Sequence, residues 1–353
     1  MMRFGFRLAL VFGGWALLVV SLIGEEAQFL TNIRQLTFGG ENTKIRFSTD
    51  GQRLIFQAMR SPETCDQVFG IEIQGGKPQR LSNGEGRTTC PHFLPGVQGY
   101  VFASTHWANA ACPPRPPIEL GQVLPLYSDY DVFLADASTG SVRRLTDSPG
   151  YDADTAVSPD GSRIVFTSVR DGDPELYSIR SDGTGLRRLT HEKGFEGTAT
   201  FSWDGRYIVY CGYHPHGSKD LAEYESLLKR GFVRPKVLEI FVMESDGSNR
   251  RQITFDGALS YGPTFHPGGE RIVYSSNLAD SKRQNFDLYF TRMDGTYTKR
   301  VTAGLSFDAW PVFSPDGTKL AFVSNRDAKE PEETNIFIAD WIGVDTQPSG
   351  RSK

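Results

Sequence analysis

The sequence predicts an all-β fold: a six-bladed β-propeller of four-stranded blades, with the N-terminal strand closing the last blade. Three observations carry this. A turn cluster recurs six times, as Phe47–Gly51, Phe93–Gly96, Val157–Gly161, Phe201–Gly205, Phe265–Gly269 and Phe313–Gly317. Its closing glycines are spaced by 45, 65, 44, 64 and 48 residues, a beat suited to one propeller blade. The composition, with 37 Gly, 24 Phe, 13 Tyr and 5 Trp among 353 residues, suits many short strands joined by tight turns.

The first element is an address. Arg3 and Arg7 precede an uncharged run from Leu8 to Gly24, the pattern of an export signal or, at the short limit of length, of a membrane anchor. Residues 1–24 are therefore read as a signal peptide or N-terminal membrane anchor. Either reading places the remainder in the periplasm or otherwise outside the cytoplasm. The net charge of -4 gives no electrostatic reason to expect nucleic-acid binding.

The propeller is expected over residues 31–341. A second landmark follows the same beat: Gln35-Leu36-Thr37, Arg80-Leu81-Ser82, Arg144-Leu145-Thr146, Arg188-Leu189-Thr190, Gln252-Ile253-Thr254 and Arg300-Val301-Thr302. An apolar-aromatic strand follows each turn cluster, from Leu54-Ile55-Phe56 to Leu320-Ala321-Phe322, and a third strand follows that. Each unit thus reads as strands A to D with tight A–B and C–D turns. The Leu-Thr landmark stands once before the first turn cluster and never after the last. The segment around Asn32–Thr37 is accordingly assigned as strand D of the final blade, which closes the ring and removes an open edge. Residues 342–353 are left as a flexible polar tail.

The units Val157-Ser-Pro-Asp-Gly161 and Phe313-Ser-Pro-Asp-Gly317, each running into an apolar strand, resemble the WD-like repeat of the TolB-like propeller family. That resemblance implies a cell-envelope role. It also fits a monomeric scaffold whose partner is an envelope protein or a cell-wall-associated ligand.

Both 20-residue surpluses fall in B–C loops, about 108–127 in blade 2 and 213–235 in blade 4. They share a face with the D–A loops, and long loops on a rigid scaffold are where binding resides. The first is proline-rich. The second predicts a helix over 219–230, capped by Ser218 and stopped by Gly231, with Leu221, Tyr224 and Leu228 packing on the propeller rim.

Aligned columns supply the candidate site. Where strand A begins stand Asn42, Thr88, Asp152, Glu196, Ser260 and Asp308; two residues on come Lys44, Cys90, Asp154, Thr198, Gly262 and Trp310. Beyond strand B stand Arg60, His106, Arg170, His214, Leu278 and Arg326. Because strand A is innermost, these residues are expected near the channel mouth. One reading is a girdle of ion pairs between blades. The other is a ligand site built from His106, Asp152, Asp154, Arg170, Glu196, His214, His216, Asp308, Trp310 and Arg326.

Nucleophile elbows, phosphate loops and His-Glu-x-x-His motifs are missing, so a non-enzymatic binding protein without a cofactor is the first expectation. The alternative is a carbohydrate-active lyase or hydrolase. It would use His106, His214 and His216 with Asp154 or Glu196, around a divalent metal. Of the cysteines, one pair among Cys65, Cys90 and Cys112 is expected to form a disulfide pinning the blade 2 insertion, and Cys211 to be a buried thiol.

Overall fold

The computed structural model describes residues 26–343. The signal or anchor reading of residues 1–24, and all but the start of the tail, lie outside the described residues. Six four-stranded antiparallel sheets form the ring. Blade 1 comprises Glu41–Phe47, Arg53–Met59, Gln67–Glu72 and Gln79–Arg80; blade 2 comprises Thr88–Leu94, Gly99–Ser104, Asp131–Asp136 and Ser141–Arg144. Blades 3, 4 and 5 begin with strands A at Asp152–Val157, Phe195–Phe201 and Ser260–Phe265. Blade 6 takes Asp308–Phe313, Lys319–Ser324 and Asn335–Trp341 from the C-terminal side, and Leu30–Gln35 from the N-terminal side. Leu30 pairs with Trp341 and Gln35 with Phe337, so the ring is closed as expected.

The recurring residues have recurring jobs. In the A–B turn of blade 3, the Ser158 hydroxyl donates to Asp160 at 2.6 Å and accepts from the Arg163 amide at 2.9 Å. Gly161 sits at φ 72°, and a side chain there would come within 2.8 Å of the Pro95 carbonyl of the preceding blade. The Leu-Thr landmark is also explained. Thr37, Thr146, Thr190, Thr254 and Thr302 each accept a strand C amide at 2.8–2.9 Å, and Ser82 does so at 3.0 Å. A hydroxyl thus replaces a ladder acceptor where strand D leaves the sheet, and these six strand C amides are paired.

Packing between blades is apolar. Clusters such as Ala156, Val165, Leu176, Phe201, Ile208 and Tyr210 lie between facing sheets. The ring therefore owes its stability to repeated burial of the aromatic positions seen in the sequence.

Every strand A carries the same irregularity. Pairing with strand B slips between Thr43 and Arg46, Thr89 and His92, Ala153 and Ala156, Gly197 and Thr200, Tyr261 and Thr264, and Ala309 and Val312. A β-bulge bends and twists the strand locally, here where six strands converge on one axis.

Candidate functional site at the loop-face channel mouth

The bulges create the site. Lys44, Cys90, Asp154, Thr198, Gly262 and Trp310 all lie in the left-handed backbone region, at φ between 50° and 61°. Six repetitions make this conformation a property of the blade, although a bulky residue there is uncommon. What varies is the side chain that each blade supplies. Gly262 is the smallest because Trp310 fills its space: a Cβ at Gly262 would stand 3.0 Å from the indole.

Lys44, Cys90 and Asp154 form a triangle. Lys44 Nζ donates to Asp154 Oδ1 at 2.5 Å and to Cys90 Sγ at 2.9 Å, and the Cys90 thiol donates to Asp154 at 3.0 Å. Burial works against the Asp154 charge, but Lys44 and the Cys90 hydrogen bond outweigh it and hold the carboxyl below its usual range. Burial likewise opposes the Lys44 charge, and Asp154 more than restores it. Burial pushes Cys90 up to about 11, leaving a neutral thiol. Between Lys44, Arg46, Cys90, Asp154, Thr198 and Trp310 only about 10 Å³ is free, so the channel is plugged at this level.

Above the plug, on the loop face, lies a cavity of about 750 Å³. Its floor is Lys44, Asp154, Thr198 and Cys211. Its wall is Tyr261 against Trp310 and Phe286, with ring centroids 5.0 and 5.1 Å apart. Its roof is the two insertions, Leu120–Leu124 and Arg234–Lys236. A smaller space of about 250 Å³ occupies the opposite mouth, among Phe47, Phe93, Phe201, Trp203 and Phe313.

The insertions are joined to each other. Leu124–Pro125 pairs with Phe232–Val233, the Leu126 amide donates to Gly231, and Arg234 donates to the Leu120 carbonyl. The Cys65–Cys112 disulfide ties the blade 2 insertion to blade 1, while Cys90 and Cys211 are buried free thiols. The blade 4 helix, α1, runs over Gly217–Leu228, two residues earlier than expected. Its cap is His216, whose amide donates to Asp220 at 3.0 Å, rather than the Ser218 side chain. Tyr224 anchors it, its single O–H proton lying between Asp173 at 2.6 Å and the Gly194 carbonyl. The expected rim packing is present in part: Tyr224 is buried and Leu228 packs against the same cluster, but the second buried side chain is Leu227 and Leu221 is only half-buried.

The ten candidate residues do not form one site. Asp154 and Trp310 line the cavity. Most of the others form short-range pairs at the loop-face ends of strands A and B within one blade, a correction to the girdle expected between blades. Arg170 donates to Asp152 at 2.8 Å and lies over the Tyr177 ring. Arg326 donates to Asp308 at 2.8 Å and to Glu26 at 3.0 Å. Asn42 and Arg60 repeat the arrangement without charge on the acceptor, at 2.8 Å. Glu196 and His214 meet at 2.8 Å. Burial pushes Glu196 well above the carboxylate range and His214 below the imidazole range, so that pair loses its ionic character. The reason for pairing within a blade is register: the first residue of strand A stands opposite the last of strand B, two residues from the basic position.

The histidines of the enzymatic alternative stay apart. His106 contacts Ser104 at 2.7 Å and packs on Phe133, His214 belongs to Glu196, and His216 is exposed at the start of α1. Among the described residues, no group of three or more His, Cys, Asp or Glu side chains is placed to hold a metal ion.

The column alignment contained Lys44, Cys90, Thr198 and Gly262 but gave no reason to prefer them to the acidic column. Tyr261, Phe286 and the roof residues carry no repeat signal. A second set of pairs was also missed: Asp131–Arg144, Glu175–Arg188 and Asp287–Arg300, at 2.6, 2.9 and 2.7 Å, join strand C to strand D. The Arg of the Arg-Leu-Thr landmark was its signal.

Comparisons with known proteins agree with the architecture. Residues 119–226 match the TolB beta propeller domain. Over 53 residues the chain is 43% identical to the Tol-Pal system protein TolB of Bordetella pertussis and to that of Bordetella parapertussis. The matched segment is 15% of this chain and spans only 12% of each relative's length. Among solved structures, TolB from Acinetobacter baumannii superposes with a TM-score of 0.58 at 17% identity, covering 83% of this chain and 64% of that one. Putative TolB from Agrobacterium tumefaciens gives 0.56 at 18% identity, covering 88% and 97%. An oligogalacturonate lyase in complex with manganese gives 0.51 at 12% identity, covering 88% and 97%. At such identities these structures support the fold alone.

Proposed function

Since the chain is a TolB-like six-bladed β-propeller, we propose that it is an exported cell-envelope scaffold that binds a protein or cell-wall-associated ligand through its loop face. One observation carries this reading: both insertions converge over the channel mouth and roof a cavity of about 750 Å³. The surrounding surface supports it. Phe38, Phe255 and Leu305 occupy the D–A loops of three consecutive blade junctions and are 72%, 75% and 98% exposed. Ile118 of the blade 2 insertion is 95% exposed. Exposed apolar side chains also occur towards the opposite face, at Val97, Val142, Leu186 and Trp203, but among the described residues the most exposed ones stand on the loop face. No activated nucleophile is needed for such a role, and Cys90 is held as a neutral thiol. The export reading rests on the Leu8–Gly24 run; among the described residues no helix is long and apolar enough to cross a membrane.

The test is capture of partners from a detergent-solubilised envelope extract. Wild type is compared with a Phe38→Ser/Phe255→Ser/Leu305→Ser variant and with Trp203→Ala at the opposite mouth. The loop-face variant should lose the captured partners and the opposite-face variant keep them. Equal capture by all three would overturn the reading.

A further inference from the structure

We propose that the loop-face cavity is a binding site for a neutral aliphatic chain, such as the acyl or alkyl chain of an uncharged amphiphile. The inference deepens the loop-face reading above and rests on it for the accessibility of the site. The cavity volume of about 750 Å³ falls within the roughly 300–1,000 Å³ of small-molecule sites. Such a site is mostly apolar, with a few placed polar groups. Here Leu124, Leu238, Leu259, Tyr261, Phe286 and Trp310 supply the apolar walls.

The charges decide the class. Each charged group that reaches the cavity already has a partner. Lys44 is neutralised by Asp154 at 2.5 Å, Arg234 by Glu223 at 2.7 Å, and Lys236 by Asp220 and Glu223 at 2.6 and 2.8 Å. A charged ligand would lose its hydration and meet no unmatched counter-ion, which is costly inside a protein. A neutral chain meets no such cost, and removing its surface from water drives binding. Tyr261, which lines the cavity, supplies a neutral hydroxyl for an alcohol or ester end, while the Thr198 hydroxyl is already shared with Cys211 and the Gly262 amide. The roof covers the site in part and leaves it open to solvent on the loop face. Leu120–Leu124 is held on one side by the Cys65–Cys112 disulfide and on the other by the short ladder to Phe232–Val233.

The experiment uses the full chain after any processing. N-phenyl-1-naphthylamine, an uncharged fluorescent probe, is titrated into the protein and competed with 1-dodecanol, dodecanoate and dodecylamine. One saturable site is expected, from which dodecanol displaces the probe at least tenfold more effectively than either charged analogue. Val123→Asp, which places an unpaired carboxylate in the roof, should weaken probe binding at least tenfold with an unchanged circular dichroism spectrum. Trp203→Ala, at the other mouth, should leave it unaltered. Should Val123→Asp perturb folding, Leu259→Asn supplies the same reading from the opposite wall. No saturable binding, equal loss with Trp203→Ala, or preference for a charged analogue would overturn the proposal. If that occurs while the Phe38/Phe255/Leu305 variant still loses its captured partners, only the ligand class fails. If partner capture also survives that variant, the loop-face reading fails with it.

Discussion

Breaking the Lys44–Asp154 pair by Asp154→Leu removes both the counter-ion at 2.5 Å and the acceptor of the Cys90 thiol. Asp154 is 7% exposed and Lys44 20% exposed, so the ammonium would be left largely desolvated with only a neutral thiol beside it. Removing one member of a buried pair costs about 3–5 kcal/mol, against about 0.2–1 kcal/mol for an exposed pair. Because Lys44 borders the cavity and can turn towards water, about 3 kcal/mol is expected, the lower end of the buried range. That is a large share of the roughly 5–15 kcal/mol that separates native from unfolded chains. The Lys44→Met/Asp154→Leu double variant substitutes apolar groups for both ions and should recover most of the loss, since dry apolar replacements of buried pairs are often neutral or stabilising. The assay is guanidinium denaturation at pH 7 of wild type, both single variants and the double variant. A coupling energy above about 2 kcal/mol at constant m is expected. The signs with pH follow from the shifts. Asp154 is lowered, so its contribution is present above the unfolded carboxyl range and lost as pH falls through the folded value. Lys44 is raised, so its contribution is present below the unfolded amine range and lost as pH rises through the folded value. A coupling energy under about 1 kcal/mol would show a solvated pair and refute the dry plug.

Other expectations concern single features. Gly262→Ala places a Cβ 3.0 Å from the Trp310 ring in a left-handed residue, and should cost about 1–2 kcal/mol with a shift of tryptophan emission. Unchanged emission and stability would mean that the indole does not fill that space. The Cys65–Cys112 disulfide spans 47 residues, so Cys65→Ser/Cys112→Ser should lower stability by up to about 4 kcal/mol on chain-entropy grounds, measured by denaturation with and without reductant. Thr190→Val removes the acceptor of the Leu176 amide and should cost about 1–3 kcal/mol in the same assay, whereas a neutral result would deny the hydroxyl its structural role. Folded-state carboxyls fall into two groups. Serine hydroxyls in the A–B turns lower Asp50, Asp160 and Asp316, and burial raises Glu175, Glu196, Glu239 and, to about 6, Asp287. Below the ordinary carboxyl range the lowered acids make stability rise with pH; above it the raised acids reduce stability as pH rises, while His92, His106, His214 and His266, all lowered by burial, add to it. Wild type should therefore lose stability relative to Asp287→Asn between about pH 4 and 6, and parallel pH profiles of the two proteins would contradict this assignment.

The fold was legible because a propeller blade writes the same local physics six times. Ser-Pro-Asp-Gly builds one turn, Leu-Thr ends one strand, and alternating aromatics fill one interface, each within a few residues. Even ring closure could be read, since the Leu36-Thr37 landmark stands ahead of its own blade. The paired columns were visible as residue types, but their partners were not. Whether Arg170 meets Asp152 or a neighbouring blade depends on strand register and on a bulge that displaces the intervening residues. The bulge itself left no mark, because residues as different as Lys44, Cys90 and Trp310 adopt it under the constraint of the ring.

By itself the sequence determined the number of blades, their closure, the face that bears the insertions and the rim packing of Tyr224, because these follow from period and local propensity. Only the tertiary structure decided that Cys65 joins Cys112, that Lys44, Cys90 and Asp154 meet across blades 1, 2 and 3, and that the insertions roof an apolar cavity. Those outcomes bring together residues tens to more than a hundred positions apart. Their proximity is set by ring curvature and packing, to which no local pattern of residues responds.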